Sequence, residues 1–382
     1  MDFSLSPDQQ SLQQAVRRFA DERLKPGYQR REETGVLDRG LVRDLGALGL
    51  LGPGLPEADG GLGLDAVTVG LIIEEVARGD INLAYLTLLT TLNGEILRRH
   101  ALPAIRREWL PAMCSGDKLC ALALTEPETG SDAAHIKLRA NRDGSAYRLE
   151  GEKTSISMAM AADVAVVFAR TGDEGAHGVS AFLVPLDAPG VSRTRLTDVG
   201  SVVVGRGSLF FDGVAVPENQ RLGEEGKGFV QVMQGFDFSR ALIGLQCLGP
   251  ASASLDETWR YVQQRTAFNQ PLVRFEGVSF PLAEAETKVT AARQLCYRAL
   301  WLKDKGEPHT AEAAMCKWWA PLVAYEAIHQ CLLLHGHGGY SKDLPHQQRL
   351  RDVLGLQIGD GTAQIMKLII ARERAGRMAV PY

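Results

Sequence analysis

Two changes in the spacing of apolar residues divide the sequence into three segments and restrict the folds open to it. Before residue 119, apolar residues recur at helical spacing, for example over 84–97. Between 119 and 227, short β-branched runs such as 164–169 alternate with turn residues, and from 228 onward the helical spacing returns. We therefore predict an α+β protein, mainly α, with an N-terminal helical domain (1–118), a middle antiparallel β-barrel or sandwich (119–227) and a C-terminal four-helix bundle (228–382).

Local signals predict where individual elements begin and end. Ser6 and Gln9 form a predicted capping box, with Pro7 at the first helical position. Further helices are predicted over 41–48, 68–77, 229–248, 255–264, 282–302 and 311–334, and Pro321 should kink or interrupt the last of these. Helices and strands do not alternate, and no Gly-x-Gly-x-x-Gly motif follows a strand, so a Rossmann domain is not expected.

Charge and cysteine content argue against several functional classes. The chain carries 42 basic and 46 acidic residues, and the two signs are interleaved, so no nucleic-acid partner is expected. None of the six cysteines forms a Cys-x-x-Cys pair, which indicates reduced thiols and a cytoplasmic location. The N-terminus does not resemble a signal peptide and the longest apolar run is far shorter than a membrane span, so no membrane association is expected.

The stretch Gly359-Asp-Gly-Thr362 carries the first chemical hypothesis. Thr362 is the predicted N-cap of a final helix. The apolar positions on one face of that helix are Ile365, Leu368 and Ile369. The partial positive charge of the helix N-terminus favours an ionised Asp360, whereas burial would raise the pKa of its carboxyl. Asp360 is therefore a candidate general base, although Gly-Asp-Gly is also common in surface turns.

A second polar motif, His335-Gly-His337, has a spacing that suggests a metal site at first sight. It lies in a Gly-rich turn, however, and no acidic or cysteine ligand accompanies it. No metal site is therefore predicted.

Several separated motifs resemble those of one enzyme family. The stretch Leu124-Thr-Glu-Pro-Glu-Thr-Gly-Ser-Asp132 closely resembles the Leu-Thr-Glu-Pro-x-x-Gly-Ser-Asp signature of the acyl-CoA dehydrogenase flavoproteins. Further motifs follow in the family's order: Phe236-Asp-Phe-Ser-Arg240, Arg265-Thr-Ala-Phe268, Gly339-Tyr340, Arg351-Asp352 and Gly361-Thr-Ala-Gln364. The resemblance extends along the whole chain and implies the same three-domain order, a homotetramer and an FAD cofactor.

The resemblance also implies roles for individual residues. Cofactor contacts fall on Leu124, Thr125, Gly130, Ser131, Ile156, Ser157, Gly339, Thr362 and Gln364, with the Ser157 hydroxyl near flavin N5. Arg265 and Phe268 would hold the FAD diphosphate and adenine of a neighbouring subunit. Substrate positions are Leu88, Ser131, Asp237, Arg240 and Gly361, of which Asp237 and Arg240 form the pair that binds the acyl-CoA.

The sequence departs from the family pattern at informative positions. Ser155 replaces a Trp that covers one flavin face, and Glu276 and Leu333 each replace a Gln on the adenine side. The usual catalytic Glu is Asp360. Some members carry the base on the helix of the Asp-x-x-Arg pair, but that position is Ser239 here, which leaves Asp360 as the only carboxylate at a base position.

The implied reaction is α,β-desaturation of an acyl thioester. Asp360 would remove the pro-R α-proton while hydride leaves the β-carbon for flavin N5, and the Asp360 N–H with a ribityl hydroxyl would polarise the thioester oxygen. Electrons would then pass to an electron-transfer flavoprotein. Because Asp is shorter than Glu, the substrate must come closer, which favours a ring at the α-carbon. Cyclohexane-carboxyl-CoA dehydrogenases have a similar Asp, so they are the expected subgroup.

The sequence leaves open how far the substrate is oxidised and which class of reaction is catalysed. Asp80 is the one acid beside the predicted acyl-pocket stretch 81–92, and we expect it to be solvated, so oxidation should stop at the cyclohex-1-ene thioester. The competing functions are a nitroalkane oxidase-like enzyme, an acyl-carrier-protein dehydrogenase and a flavin-binding protein without dehydrogenase activity. Asp237 and Arg240 argue against the first, because a substrate without CoA would not need them.

Overall fold

The N-terminal segment consists of helices, as its apolar spacing predicts. A computed structural model describes residues 4–173 and 175–379 of the chain. Its first helices are α1 (Pro7–Phe19), α2 (Tyr28–Thr34), α3 (Arg39–Ala47), α4 (Ala66–Gly79), α5 (Ile81–His100) and α6 (Pro103–Ser115). The predicted capping box is confirmed, because the Gln9 N–H donates to Ser6 Oγ at 3.1 Å and the Ser6 N–H donates to Gln9 Oε1 at 3.0 Å. Helices α2 and α6 were not predicted.

Helices α4 and α5 form the interior of this segment. Nearly every residue of both helices is buried. They meet at Asp80, whose side chain accepts a hydrogen bond of 2.9 Å from the Asn82 N–H and thereby caps α5. This junction places the start of α5 in the centre of the molecule, close to the other two segments.

The middle segment is one mixed sheet. Its strands are β1 (Cys120–Ala123), β2 (Arg139–Asp143), β3 (Ala146–Ile156), β4 (Val164–Arg170), β5 (Val179–Pro185), β6 (Val191–Arg195), β7 (Gly207–Pro217) and β8 (Arg221–Leu222), in the spatial order β6-β7-β3-β2-β4-β5-β8 with β1 beside β4. Most neighbours are antiparallel, as expected, but β1 and β2 each pair with β4 in parallel. The purely antiparallel arrangement in our prediction is therefore corrected to a mixed one.

Strand β4 separates two hydrophobic cores, which explains why it reads as a continuous apolar run. Ala165, Val167 and Ala169 pack into the larger core, which includes α4 and α5. Val164, Val166 and Phe168 pack into a smaller core with α6. Because successive side chains of a strand point to opposite faces, a strand covered on both faces must be apolar throughout.

The C-terminal segment is a bundle of long helices. It contains α7 (Gly228–Gln264), the hairpin β9 (Thr266–Ala267) and β10 (Gln270–Pro271), and then α8 (Glu276–Asp304), α9 (Thr310–Leu334), α10 (His337–Tyr340), α11 (His346–Gly355) and α12 (Ala363–Ala375). The predicted break between 248 and 255 is wrong, because α7 continues through Pro250. Pro321 likewise lies inside a continuous α9. Both prolines are buried among packed helices, whose contacts offset the lost backbone hydrogen bond.

One buried carboxylate joins all three segments. Asp352 of α11 accepts hydrogen bonds from the Tyr28 hydroxyl at 2.6 Å, from Asn82 Nδ2 at 3.0 Å and from the Ser201 N–H at 2.5 Å. Tyr28 and Asn82 belong to the N-terminal helices, whereas Ser201 belongs to the middle segment. Helix α11, which leads to the Asp360 turn, is therefore fixed against both. No helix among residues 4–173 and 175–379 is long and apolar enough to span a membrane.

Candidate active site

Asp360 lies in a tight turn between α11 and α12. Its φ is 55°, and Gly361 has a φ of 104°. Residues with a side chain rarely adopt the φ of Gly361, so this position favours glycine. The predicted cap of α12 is confirmed, because the Ile365 N–H donates to Thr362 Oγ1 at 3.4 Å. The predicted apolar face of α12 is only half-buried, and the fully buried residue of this helix is Met366.

The Asp360 side chain is open to solvent on part of its surface only. Solvent reaches the side chain, yet the surrounding protein desolvates the carboxyl enough to raise its pKa. Lys317 of α9 and Arg240 of α7 oppose the rise in the Asp360 pKa. The pKa of Tyr85, on α5, is raised by burial, by Cys247 and by Asp360 itself.

Lys317 is a residue of this site that the sequence analysis missed. Its side chain is fully buried, and Nζ donates to the Leu356 carbonyl at 2.7 Å and to the Gly361 carbonyl at 3.1 Å. Burial lowers its pKa, and the nearby Asp360 counteracts that effect. A lone lysine in the apolar run 313–320 was the available signal, since lysine is almost never fully buried without a partner.

The predicted substrate pair lies beside Asp360. Arg240 Nη1 donates to Asp237 Oδ1 at 2.8 Å, and Thr310 Oγ1 donates to Asp237 Oδ2 at 2.6 Å. Arg240 is 5 % exposed, and its buried Nε has no protein partner within the described ranges. Burial lowers the pKa of Arg240, whereas Asp237 and Asp360 raise it. Ser239 is buried and donates to the Phe236 carbonyl at 3.3 Å, so it does not offer a base to the substrate.

The structure brings the predicted flavin-binding stretches together. Lys153, on β3, donates from Nζ to the Leu124 carbonyl and to Glu126 Oε1, both at 2.8 Å. The Thr154 N–H donates to the Thr125 carbonyl at 2.9 Å. The loop that begins at Leu124 is therefore attached to the end of β3, where buried Ile156 and half-buried Ser157 follow.

The side chains at this junction fit the polar edge of a flavin. Thr125 and Ser157 are partly accessible, and in the part of the chain that the structure describes neither hydroxyl has a protein hydrogen-bond partner. Gly130 and Ser131 lie on the exposed part of the same loop. Hydroxyls and loop amides that lack protein partners can bind the ring's carbonyls and nitrogens. FAD therefore fits the donor set of these two stretches.

Arg265 and Phe268 lie far from Asp360 in the same chain. They belong to the β9–β10 hairpin at the end of α7, and Phe268 is 90 % exposed with a φ of 50°. Helix α7 separates Arg265 from Arg240 by about 36 Å at 1.5 Å per residue. Arg265 instead lines a cavity of about 1210 Å³ together with the Gly336–Gly338 turn, next to buried Gly339. Gln364 is exposed on the first turn of α12.

Leu88 of the predicted acyl-pocket stretch and Asp80 just before it are both interior residues. Leu88 is buried in the larger core. Asp80 is not solvated as expected, because it is 1 % exposed and accepts a hydrogen bond of 2.8 Å from Arg31 Nε. Burial raises the pKa of Asp80, and Arg31 opposes this. Asp80 therefore has a structural role as the cap of α5 and as the ion-pair partner of Arg31. The described residues contain no group of acidic, histidine and cysteine side chains that could hold a metal ion.

Comparisons with known proteins agree with this architecture. Three family models match the chain: the N-terminal domain of acyl-CoA dehydrogenase over residues 6–117, the middle domain over 121–214 and the C-terminal domain over 226–374. The benzylmalonyl-CoA dehydrogenase of Aromatoleum aromaticum is 36% identical over 385 residues, which cover 98% of this chain and 99% of that protein.

Solved structures show the same fold. The butyryl-CoA dehydrogenase of Megasphaera elsdenii superimposes with a TM-score of 0.94 at 32% identity, covering 98% of this chain and 100% of that one. A glutaryl-CoA dehydrogenase from Mycobacterium smegmatis in complex with FADH2 gives 0.92 at 27% identity, covering 97% and 95%. The chain belongs to the acyl-CoA dehydrogenase family and is an FAD-dependent oxidoreductase.

Proposed function

We propose that this enzyme desaturates an α-branched or cyclic acyl-CoA thioester, such as cyclohexane-1-carboxyl-CoA, with Asp360 as the α-proton base. The observation that carries the proposal is the solvent-accessible Asp360 carboxylate, which lies near the charges of Arg240 and Lys317 in a turn that Lys317 binds through the Gly361 carbonyl. A carboxylate whose pKa is raised by its surroundings, and which solvent or substrate can reach, has the properties of a general base.

Each side chain has a distinct task in the proposed reaction. Asp360 would take the α-proton, and its own N–H would polarise the thioester oxygen. Arg240, which Asp237 holds through a hydrogen bond of 2.8 Å, would bind the acyl-CoA. Thr125 and Ser157 would bind the flavin edge, and bound FAD supplies the acceptor for the β-hydride.

The length of the base supports a ring at the α-carbon. Asp360 is one methylene shorter than the glutamate usual in the family, and a base displaced by about 1 Å can lose on the order of 100-fold in rate. A substrate that is bulky at the α-carbon fills the space left by the shorter side chain. A relative whose name refers to a benzyl-bearing CoA thioester is consistent with this reading.

We also propose that a monoene is the product and that a second copy of the chain completes the cofactor site. Asp80 is bound to Arg31, and the acyl-pocket stretch 81–92 contains no carboxylate, so no second base for further ring oxidation is assigned there. The roughly 36 Å between Arg240 and Arg265 supports a role for Arg265 and Phe268 at another subunit's FAD, as in a homotetramer. Electron-transfer flavoprotein is the proposed acceptor. The six free, buried cysteines suit a reducing, cytoplasmic environment.

An anaerobic substrate screen tests the proposal. Purified holoenzyme is mixed with linear, branched and cyclic acyl-CoAs, with the matching carrier-protein thioesters and with nitroalkanes, and flavin absorbance near 450 nm is followed. Fastest bleaching by a cyclic acyl-CoA is expected. Faster bleaching by a linear thioester would contradict the ring at the α-carbon. Faster bleaching by a carrier-protein thioester would contradict CoA as the carrier, and faster bleaching by a nitroalkane would contradict the reaction class.

A further inference from the structure

Lys317 occupies an unusual position for a charged side chain. It is 0 % exposed in the middle of α9, and among the described residues it forms no ion pair at contact distance. Its ammonium group is instead compensated by the carbonyl oxygens of Leu356 and Gly361. A buried ammonium without a contacting carboxylate costs several kcal/mol, on the order of the penalty for burying an unpaired ion. A leucine or methionine would fill the same volume without that cost.

The two acceptors of Lys317 enclose the Asp360 turn. Leu356 follows the end of α11, and Gly361 directly follows Asp360. One ammonium group therefore fixes both ends of the segment that holds the carboxylate at a φ of 55°. A non-glycine residue in this region of φ is held there by its surroundings and does not adopt it by preference.

We propose that Lys317 is a positioning residue of the dehydrogenation reaction, which fixes the turn that presents Asp360 and favours the ionised form of its carboxylate. This inference rests on the proposed function, because it assigns Lys317 to the base of that reaction. Lys317 does not touch the substrate in this account. It acts through the backbone of the turn and through its charge.

The charges around the two groups define the expected effect. Asp360 is faced by Lys317 from α9, by Arg240 from α7 and by Tyr85 from α5. Lys317 is faced by Asp360, by Cys247 and by Arg240. Because Lys317 lowers the pKa of Asp360, loss of its charge should raise that pKa. The acid limb of the kcat/KM profile, where Asp360 becomes protonated, should then move to higher pH.

The test compares three variants of the holoenzyme. Lys317→Met removes the charge and the hydrogen bonds, Lys317→Arg keeps the charge, and Lys367→Met removes an exposed lysine 4.6 Å above the ring of Trp318, next to Lys317 in sequence. In Lys317→Met the acid limb should rise by about one pH unit. Its kcat should fall on the order of 10-fold or more because the turn is displaced, with KM and FAD content little changed. Lys317→Arg should keep the acid limb of the wild type, and Lys367→Met should match the wild type throughout.

Other outcomes would overturn the inference or the function separately. An acid limb that stays in place in Lys317→Met, while the wild type turns over normally, would overturn the role of Lys317 alone. A wild-type flavin that no thioester bleaches would remove the proposed function itself. Where Lys317→Met does not fold, Lys317→Gln carries the same comparison. Failure of both to fold would assign Lys317 to helix packing and overturn the inference.

Discussion

The Tyr28 hydroxyl donates a hydrogen bond of 2.6 Å to the carboxylate of Asp352, 324 residues further along the chain. This contact ties the N-terminal helices to α11, which leads directly into the Asp360 turn. Burial raises the pKa of Asp352 to about 6, although the bonds from Ser201 and Tyr28 oppose the rise. These donors therefore favour the ionised form of the buried carboxylate.

Tyr28→Phe should destabilise the protein by about 1–3 kcal/mol, because it removes one donor from a buried carboxylate. The loss should be larger at pH 8 than at pH 5, since Asp352 is ionised above its pKa of about 6 and a charged acceptor binds a donor more strongly. Chemical denaturation at both pH values measures it. Tyr340→Phe, at a tyrosine that is 83% exposed, is the control. Equal stability of the two variants would contradict the account.

His346→Leu should reduce the loss of stability on acidification. Burial, helped by Arg349 and His335, lowers the pKa of His346 from its ordinary 6.5 to about 3. Below pH 6.5 the unfolded state binds a proton at His346, whereas the folded state keeps this side chain neutral. The free energy of unfolding therefore decreases as the pH falls from 6.5 towards 3. At pH 5 the wild type should have lost about 2 kcal/mol through this group, at roughly 1.4 kcal/mol per pH unit.

Urea denaturation at pH 7.5 and at pH 5.0 measures the effect of His346→Leu. Asp352 titrates in the same range with the opposite sign, because its raised pKa makes the folded state bind an extra proton. That contribution is common to both proteins and cancels in their difference. An identical pH dependence in wild type and variant would show that His346 accepts a proton in the folded state.

Lys153→Met should weaken FAD binding on the order of 10-fold or more, because removing one partner of a buried pair strongly destabilises the loop it holds. Lys153 is 0 % exposed and joins Glu126 to the end of β3. Fluorescence titration of the apoprotein with FAD gives the two dissociation constants. Lys137→Met is the matched control, since this exposed lysine pairs with Glu128 at the surface of the same region. Equal FAD affinities of the two variants would show that the Lys153–Glu126 ion pair does not contribute to cofactor binding.

Asp360→Glu should change substrate preference. The added methylene moves the carboxylate into the space that we assign to a ring at the α-carbon, so turnover of a cyclic acyl-CoA should fall more than turnover of a linear one. The ratio of the two kcat/KM values measures this, and a change of about 10-fold or more towards the linear substrate is expected. An unchanged ratio would mean that the length of the base does not select the substrate.

Local chemistry allowed part of this structure to be predicted from sequence. The capping box at Ser6 and the N-cap at Thr362 depend on neighbouring residues alone, and both are confirmed. The helix–strand–helix order followed from periodicity, which burial against a core imposes on each element. The Leu124 loop and the end of β3, which the resemblance assigned to one cofactor, lie together.

Long-range packing explains what the sequence did not reveal. Pro250 and Pro321 stay inside helices because surrounding helices compensate for them, and propensity alone predicts a break. Asp80 appeared to be a surface residue after Arg78-Gly79, but its partner Arg31 lies 49 positions away. Lys317 and the carbonyl of Leu356 are likewise 39 residues apart, so no local pattern connects them.

The most direct test of the account is the rate of flavin reduction in Asp360→Asn under single-turnover conditions. The variant should retain bound FAD and bind the acyl-CoA, while anaerobic bleaching after rapid mixing with the best substrate slows by about 100-fold or more, the usual contribution of a general base. Asp343→Asn, at an exposed aspartate outside the turn that holds Asp360, is the control. Bleaching by Asp360→Asn at more than about a tenth of the wild-type rate would contradict the assignment of Asp360 as the base.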